Sequence, residues 1–230
     1  DGVFSKELSN LSEGQDGVEV MDLKQAFDHD PLHLQGHLSR YSQSDQNAFT
    51  ALNTAYFAEG AVVRIRKNVS AERMVHLVFL SSGRGEGITM HPRNLVTVDS
   101  GASVTIVEEY LGLGGGSPTL TNAISEFVVG ENAYVEHVKI QDESLNSYHV
   151  AGIYAQLERS CRFRSHSLAL GSKLSRNNIR TKLDGEGVEC VLNGLYLTKQ
   201  DQLADHHMIV EHAKPHCDSH EYFNGILDGQ

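Results

Sequence analysis

The chain has 230 residues, 40% of them hydrophobic and 21% charged, a globular composition that fits one domain or two small ones. Thirty acids against 19 bases give a formal net charge of −11, opposite in sign to the basic field of a general nucleic-acid binder. No apolar run approaches the ~20 residues that span a bilayer. The first ten residues carry no apolar block of an export signal. Three cysteines, Cys161, Cys190 and Cys217, are too few and too scattered for a disulfide framework, so reduced thiols in a cytoplasm-like compartment are expected.

The first 58 residues read as a helical lead-in. Val20–Asp28 and Pro31–Arg40 have the look of short helices either side of a His-Asp-Pro break, with Asp30-Pro31 as cap and first helical position. Asp45–Phe57 reads as a third helix, with Phe49, Leu52, Asn53 and Tyr56 on one face.

From residue 59 onward the pattern turns to short β-type runs. Ala61–Arg66, Met74–Leu80, Asn94–Val98, Val104–Tyr110 and Glu126–Val129 are rich in Val, Ile, Leu and aromatics, and most are parted by Gly, Ser, Asn or Asp. Arg64, Arg66 and Lys67 make a short basic cluster that reads as a solvated strand edge. Gly112–Pro118 reads as a loop inserted between strands.

These runs repeat. Aligning Ala133, Cys161, Val188 and His216 gives steps of 28, 27 and 28, and the step from Ala102 to Ala133 is 31, the Gly-rich loop taking up the extra residues. A fixed period of this size marks a solenoid. Two strands of ~7 residues plus two turns fill about one period, so each unit is one coil of a β-helix. Alternation should send half of each strand inward. In 134–140 that puts Val135, His137 and Lys139 on one face and Tyr134, Glu136, Val138 and Ile140 on the other, a split that does not reveal which face is the core.

Several long strings resemble the SufB/SufD family of iron–sulfur cluster assembly proteins, nearest its SufD branch. They are AFTALNTAYFAEG (48–60), HPRNLVTV (91–98), TNAISEFVVG (121–130), VEHVKIQ (135–141), LDGEGVECVLNGLYL (183–197) and DHHMIVEHAKPHCDSHEYFNGILDG (205–229). They stand in order across about 180 residues. The resemblance implies an all-β fold, a right-handed parallel β-helix over 59–230. It also implies partnership with a SufB-like subunit and a SufC-like ATPase, with an iron–sulfur cluster or iron as transient cargo in the full complex. It places the chain in the cytoplasm, or in a plastid for a phototrophic eukaryote. Family members continue past the ILDG string with a Cys-x-His motif and a helical SufC-docking segment. None of the three cysteines here begins a Cys-x-His pair, so the resemblance implies a stretch truncated at both ends, non-catalytic by itself.

The densest chemical grouping is 205–220. His207, Glu211, His212, His216 and Cys217 are of the types that ligate transition metals, with His206 and His220 nearby. The spacing matches neither a zinc finger nor a His-Glu-x-x-His helix. The competing reading is hydrogen-bonded polar ladders along the coil. The cysteines fall near equivalent positions of successive coils, either as a sulfur relay or as small buried hydrophobes. His149 and His166 read as surface residues. Gly185 and Gly187 read as turn residues of positive φ. No Gly-x-x-x-x-Gly-Lys-Ser/Thr loop is present, so ATP hydrolysis would fall to a partner. Two other functions remain: an independent metal-binding β-helix, and a carbohydrate-active one, for which Asp184, Glu186 and Glu189 are the only dense acids in the repeats.

Overall fold

A computed structural model describes residues 1–11, 15–42, 47–85, 87–114 and 116–229. From residue 61 the chain winds through about six coils, each giving one strand to each of two sheets. The first sheet holds β2 (Ala61–Ile65), β5 (Arg93–Val98), β7 (Thr119–Val129), β9 (Tyr148–Leu157), β11 (Leu174–Leu183) and β13 (Leu203–His212), in that spatial order. The second holds β3 (Val75–Ser81), β6 (Ser103–Gly112), β8 (Tyr134–Asp142), β10 (Arg162–Ala169), β12 (Glu189–Lys199) and β14 (Asp218–Asp228). A short β4 (Ile88–Met90) pairs with β7. All these pairings are parallel. The fold is the expected β-solenoid.

Register makes the repeat physical. Tyr134 pairs with Arg162, Arg162 with Glu189 and Glu189 with Asp218, so the steps are 28, 27 and 29. Ala102, Ala133, Cys161 and Val188 therefore stack, as the sequence alignment expects. The fifth member of the stack is Cys217 rather than His216. The cause is a turn that recurs in every coil. Asn68, Gly101, Asn132, Ser160, Gly187 and His216 all take positive φ, from 55 to 71°, and each is followed by a residue directed into the coil. His216 is thus a turn residue. Gly187 has the expected positive φ, but Gly185 does not. Gly185 is there for close approach: a Cβ on it would lie 2.0 Å from the backbone nitrogen of Arg159.

The lead-in differs in detail from the sequence reading. Residues 18–22 form a strand, β1 (Val18–Asp22), antiparallel to β2. Alternating valines favour the extended form there, and the helix waits until Asp22 caps α1 (Leu23–His29) through Gln25 N–H at 3.0 Å. Asp30 caps α2 (Pro31–His37), with Pro31 at its first position. Asn47 caps α3 (Ala48–Tyr56), and residues 45–46 lie outside the described ones. The buried face of α3 is Thr50 and Asn53, while Phe49 and Tyr56 are exposed. Polar groups face inward because what they meet is polar. Arg93 and Glu126, on the outer face of the first sheet, form a fully buried pair at 2.9 Å. Arg93 also donates to Asn53 Oδ1 at 3.1 Å, and the Glu126 carboxylate accepts from the backbone N–H groups of Ser39, Tyr41 and Ser42. Thr50 meets the Tyr154 hydroxyl at 2.7 Å. This network fastens the lead-in to the solenoid and buries β5 on both faces.

Candidate functional site

The two sheets enclose a lumen with two unlike halves. Near the positive-φ turns it is apolar: Val98, Val129, Leu157 and Leu183 from one sheet face Val104, Val135 and Phe163 from the other. Toward the opposite turns it is polar and charged. Glu108, Tyr110, His137, Lys139, Gln141, Glu143, His149 and Asn177 are all at least 96% buried there. β8 supplies the clearest case. Its inward face is Val135, His137, Lys139 and Gln141, while Val138 and Ile140 look outward and are only half buried.

Pairing within the lumen explains why charged groups are tolerated. Tyr110 donates to Glu108 at 3.0 Å, and Lys139 donates to Asn177 Oδ1 at 3.2 Å while lying over the Tyr110 ring. His149 Nδ1 is 2.7 Å from Glu143 Oε2, and Thr121 and Gln141 both donate to the Glu143 carboxylate. His137 Nδ1 meets Ser165 Oγ at 2.9 Å. Glu108 Oε1, His137 Nε2, Gln141 Oε1 and His149 Nε2 have no protein hydrogen-bond partner. Buried polar atoms of this kind are ordinarily met by water. A cavity of about 10 Å3 bordered by Lys139, Gln141, Ser167, Asn177 and His206 has room for one water.

Burial sets the charge states. It lowers His137 to about 4, with the nearby Glu108 opposing and Lys139 assisting, so the imidazole is neutral. Burial likewise lowers Lys139 to about 8 against the pull of Glu108 and Glu143. His149 is lowered by burial and by Lys139. Burial by itself would raise Glu143, but His149 beside it and the donors Thr121 and Gln141 outweigh this and keep the carboxylate ionised. The lumen is a lining that holds charge and protons, built from inward positions of successive strands.

The cysteines belong to the apolar half. Cys161 and Cys190 are fully buried, and burial pushes both thiols up to about 12, so they are protonated near neutrality and poor nucleophiles. Cys190 pairs with Phe163 in register, two places along from the stack that holds Cys161, Val188 and Cys217. Cys217 is half buried, its sulfur 3.1 Å from the Gly185 carbonyl. All three are free thiols.

The grouping at 205–220 spreads over different surfaces. His207 and Glu211 lie outward on β13, and Glu211 is 3.8 Å from Arg180. His212 Nε2 meets Ser219 Oγ at 3.1 Å. His216 is in its exposed turn, and Cys217 turns inward beside it. Among the described residues no three His, Cys, Asp or Glu side chains are placed to hold a metal ion together. Cys217 alone of those five packs against the apolar half of the lumen, and His206, not among them, borders its polar half. His206 sits between the Tyr196 and Phe223 rings, and burial lowers it to about 4.

Two histidines read as surface residues part company. His166 is on the outside, 2.7 Å from Glu136. His149 is wholly buried in the polar half. Glu108, Tyr110, Gln141 and Glu143 escape the sequence reading, which places Lys139 only on a face with Val135 and His137, although one signal was available: Ile106-x-Glu108-x-Tyr110 and His137-x-Lys139-x-Gln141 sit 31 residues apart, in the same register as Ala102 and Ala133. The acids Asp184 and Glu189 are engaged at the rim, with Lys182 and Arg164 at 3.1 and 2.9 Å.

Comparison with known proteins adds an independent line. Residues 79–230 match the model described as "SUF system FeS cluster assembly, SufBD core domain", and residues 1–77 match the SufBD protein N-terminal region. The chain is 29% identical over 99% of its length to the iron–sulfur cluster assembly SufBD family protein slr0076 of Synechocystis. It is 26% identical over 72% of its length to the iron–sulfur cluster assembly protein SufD of Escherichia coli, and 25% identical over 72% to the chloroplastic protein ABCI7 of Arabidopsis thaliana. It spans 51%, 39% and 36% of those three relatives.

Proposed function

Since the chain belongs to the SufBD family of the SUF iron–sulfur cluster assembly system, we propose that it is a scaffold of that machinery, pairing with a SufB-like subunit and drawing on a SufC-like ATPase. The observation that carries this reading is the pair of family matches, which together run along nearly the whole chain. A non-catalytic role for this chain is part of the proposal. The sequence holds no phosphate-binding Gly-x-x-x-x-Gly-Lys-Ser/Thr loop, so energy from ATP is assigned to the partner. Its two fully buried thiols are held protonated and are not poised to attack sulfur. Iron and cluster are cargo of the assembled complex. We place the protein in the cytoplasm or, by its likeness to a chloroplastic relative, in a plastid.

Affinity purification of the natural full-length protein from its host tests the reading. Recovery of a SufB-like and a SufC-like chain in defined proportion is expected. Recovery of neither, under conditions that keep the protein folded, overturns it.

A further inference from the structure

The lead-in carries a pair of histidines outside the lumen and its coils. The helix that bears them, α2, is fixed at its start by the Asp30 cap and Pro31 and is seated by the buried Leu34. His33 and His37 stand four residues apart on it, so they share one face about a turn apart. Both are half buried where α2 meets the first sheet. Their ring centres are 4.8 Å apart and the rings are tilted by 51°.

Each ring has one nitrogen engaged and one free. His33 Nε2 meets Thr97 Oγ1 at 3.1 Å, and His37 Nδ1 meets the Tyr41 hydroxyl at 2.9 Å. Either hydroxyl can accept a ring N–H, which leaves a lone pair on the other nitrogen, His33 Nδ1 or His37 Nε2. Neither of those two atoms has a hydrogen-bond partner among the described residues, and neither is sealed from solvent. A neutral imidazole whose second nitrogen donates to a fixed acceptor is the usual state of a metal-ligating histidine. The spacing fits as well. An ion about 2 Å from a ring nitrogen lies about 3 Å from that ring's centre, so two imidazoles bound at roughly a right angle have centres about 4.5 Å apart. Charge nearby is balanced. Arg64 acts on both rings but is tied to Asp30 at 3.1 Å, and Asp99 acts on both with the opposite sign. Burial and Arg64 hold both imidazoles below their ordinary 6.5, so they are neutral near pH 7.5.

We propose that His33 and His37 form a two-nitrogen chelate for one divalent transition-metal ion of the zinc and nickel class, with water completing its coordination. Imidazole nitrogens suit these ions. Among the described residues no third His, Cys, Asp or Glu joins the pair, so the ion keeps open positions. Bridging one turn of α2, it stiffens the segment that leads to Ser39, Tyr41 and Ser42, whose backbone N–H groups hold Glu126. The site uses no residue of the lumen and does not depend on the assembly role.

Calorimetric titration of the whole chain with Zn2+ and, separately, Ni2+ at pH 7.5 tests this, alongside histidine footprinting with diethylpyrocarbonate read by mass spectrometry. One saturable equivalent of either ion is expected, and His33 and His37 should lose reactivity in step as it fills. His33→Gln and His37→Gln should each weaken that equivalent by about tenfold or more, and His207→Gln should leave it unchanged. The footprint is read on the unaltered chain, so a misfolded variant cannot imitate it. No saturable binding of either ion to the unaltered chain overturns the proposal. So does binding that leaves His33 and His37 reactive, that H33Q or H37Q fails to weaken, or that H207Q removes.

Discussion

His137 offers a direct test of the charged lumen. Its imidazole is fully buried beside Ser165 and Phe127, and burial lowers it to about 4 from an ordinary value of 6.5. The folded protein therefore binds this proton less readily than the unfolded chain does. Between pH 6.5 and 4 the unfolded state carries more protons, so stability is lost as pH falls through that window. For one group with these two values, the loss between pH 7 and pH 5 comes to about 2 kcal/mol. His137→Leu removes the titration and keeps an apolar contact with Phe127. It also forfeits the Ser165 hydrogen bond, which costs about 1 kcal/mol at either pH. The informative quantity is therefore the change between the two pH values. Urea unfolding followed by circular dichroism at pH 7 and pH 5 measures it. The unaltered chain should lose about 2 kcal/mol more than the variant on acidification. Equal losses in the two proteins would show that His137 titrates normally, and the description of the lumen would fail with it.

Arg93→Ala strands the Glu126 carboxylate under the lead-in, and breaking a buried pair in this way costs on the order of 3–5 kcal/mol. Limited proteolysis should then cut within residues 23–57 well before the solenoid; unchanged resistance would refute the anchoring role. In the folded chain at pH 8, Cys161 and Cys190 should resist iodoacetamide for as long as the protein stays folded, as mass spectrometry of the labelled peptides would record. Rapid stoichiometric labelling of either would contradict their burial. Gly185→Ala drives a Cβ into the Arg159 backbone at 2.0 Å, so the urea midpoint should fall by more than that of Gly36→Ala, where a Cβ meets nothing within 4 Å.

The solenoid was legible because its period is set by chain geometry: two strands and two turns recur whatever fills them. The stacking of Ala102, Ala133, Cys161 and Val188 follows from spacing alone. The last member was misplaced because the final step has 29 residues, and nothing in the local composition distinguishes His216 as the turn and Cys217 as the inward residue. β8 resisted an inside–outside assignment for a deeper reason. Reading strands assumes an apolar interior, whereas this lumen places His137 and Lys139 inside and Val138 and Ile140 outside. The same assumption would fail on α3, whose buried side chains are Thr50 and Asn53, set against Tyr154 and Arg93. Helix periodicity swallowed β1 because Val18–Asp22 runs into α1 without an intervening turn. The grouping at 205–220 looked dense on paper. Alternation along β13 and the turn at His216 send its members to different surfaces.

The central claim is that this chain serves iron–sulfur cluster assembly. The most direct measurement is the activity of a cluster-dependent dehydratase such as aconitase in cells of the natural host depleted of the full-length protein, before and after iron and sulfide reconstitution of the extract. The account predicts that activity falls on depletion, returns on reconstitution, and returns in cells when the protein is resupplied. Unchanged activity in depleted cells would contradict it.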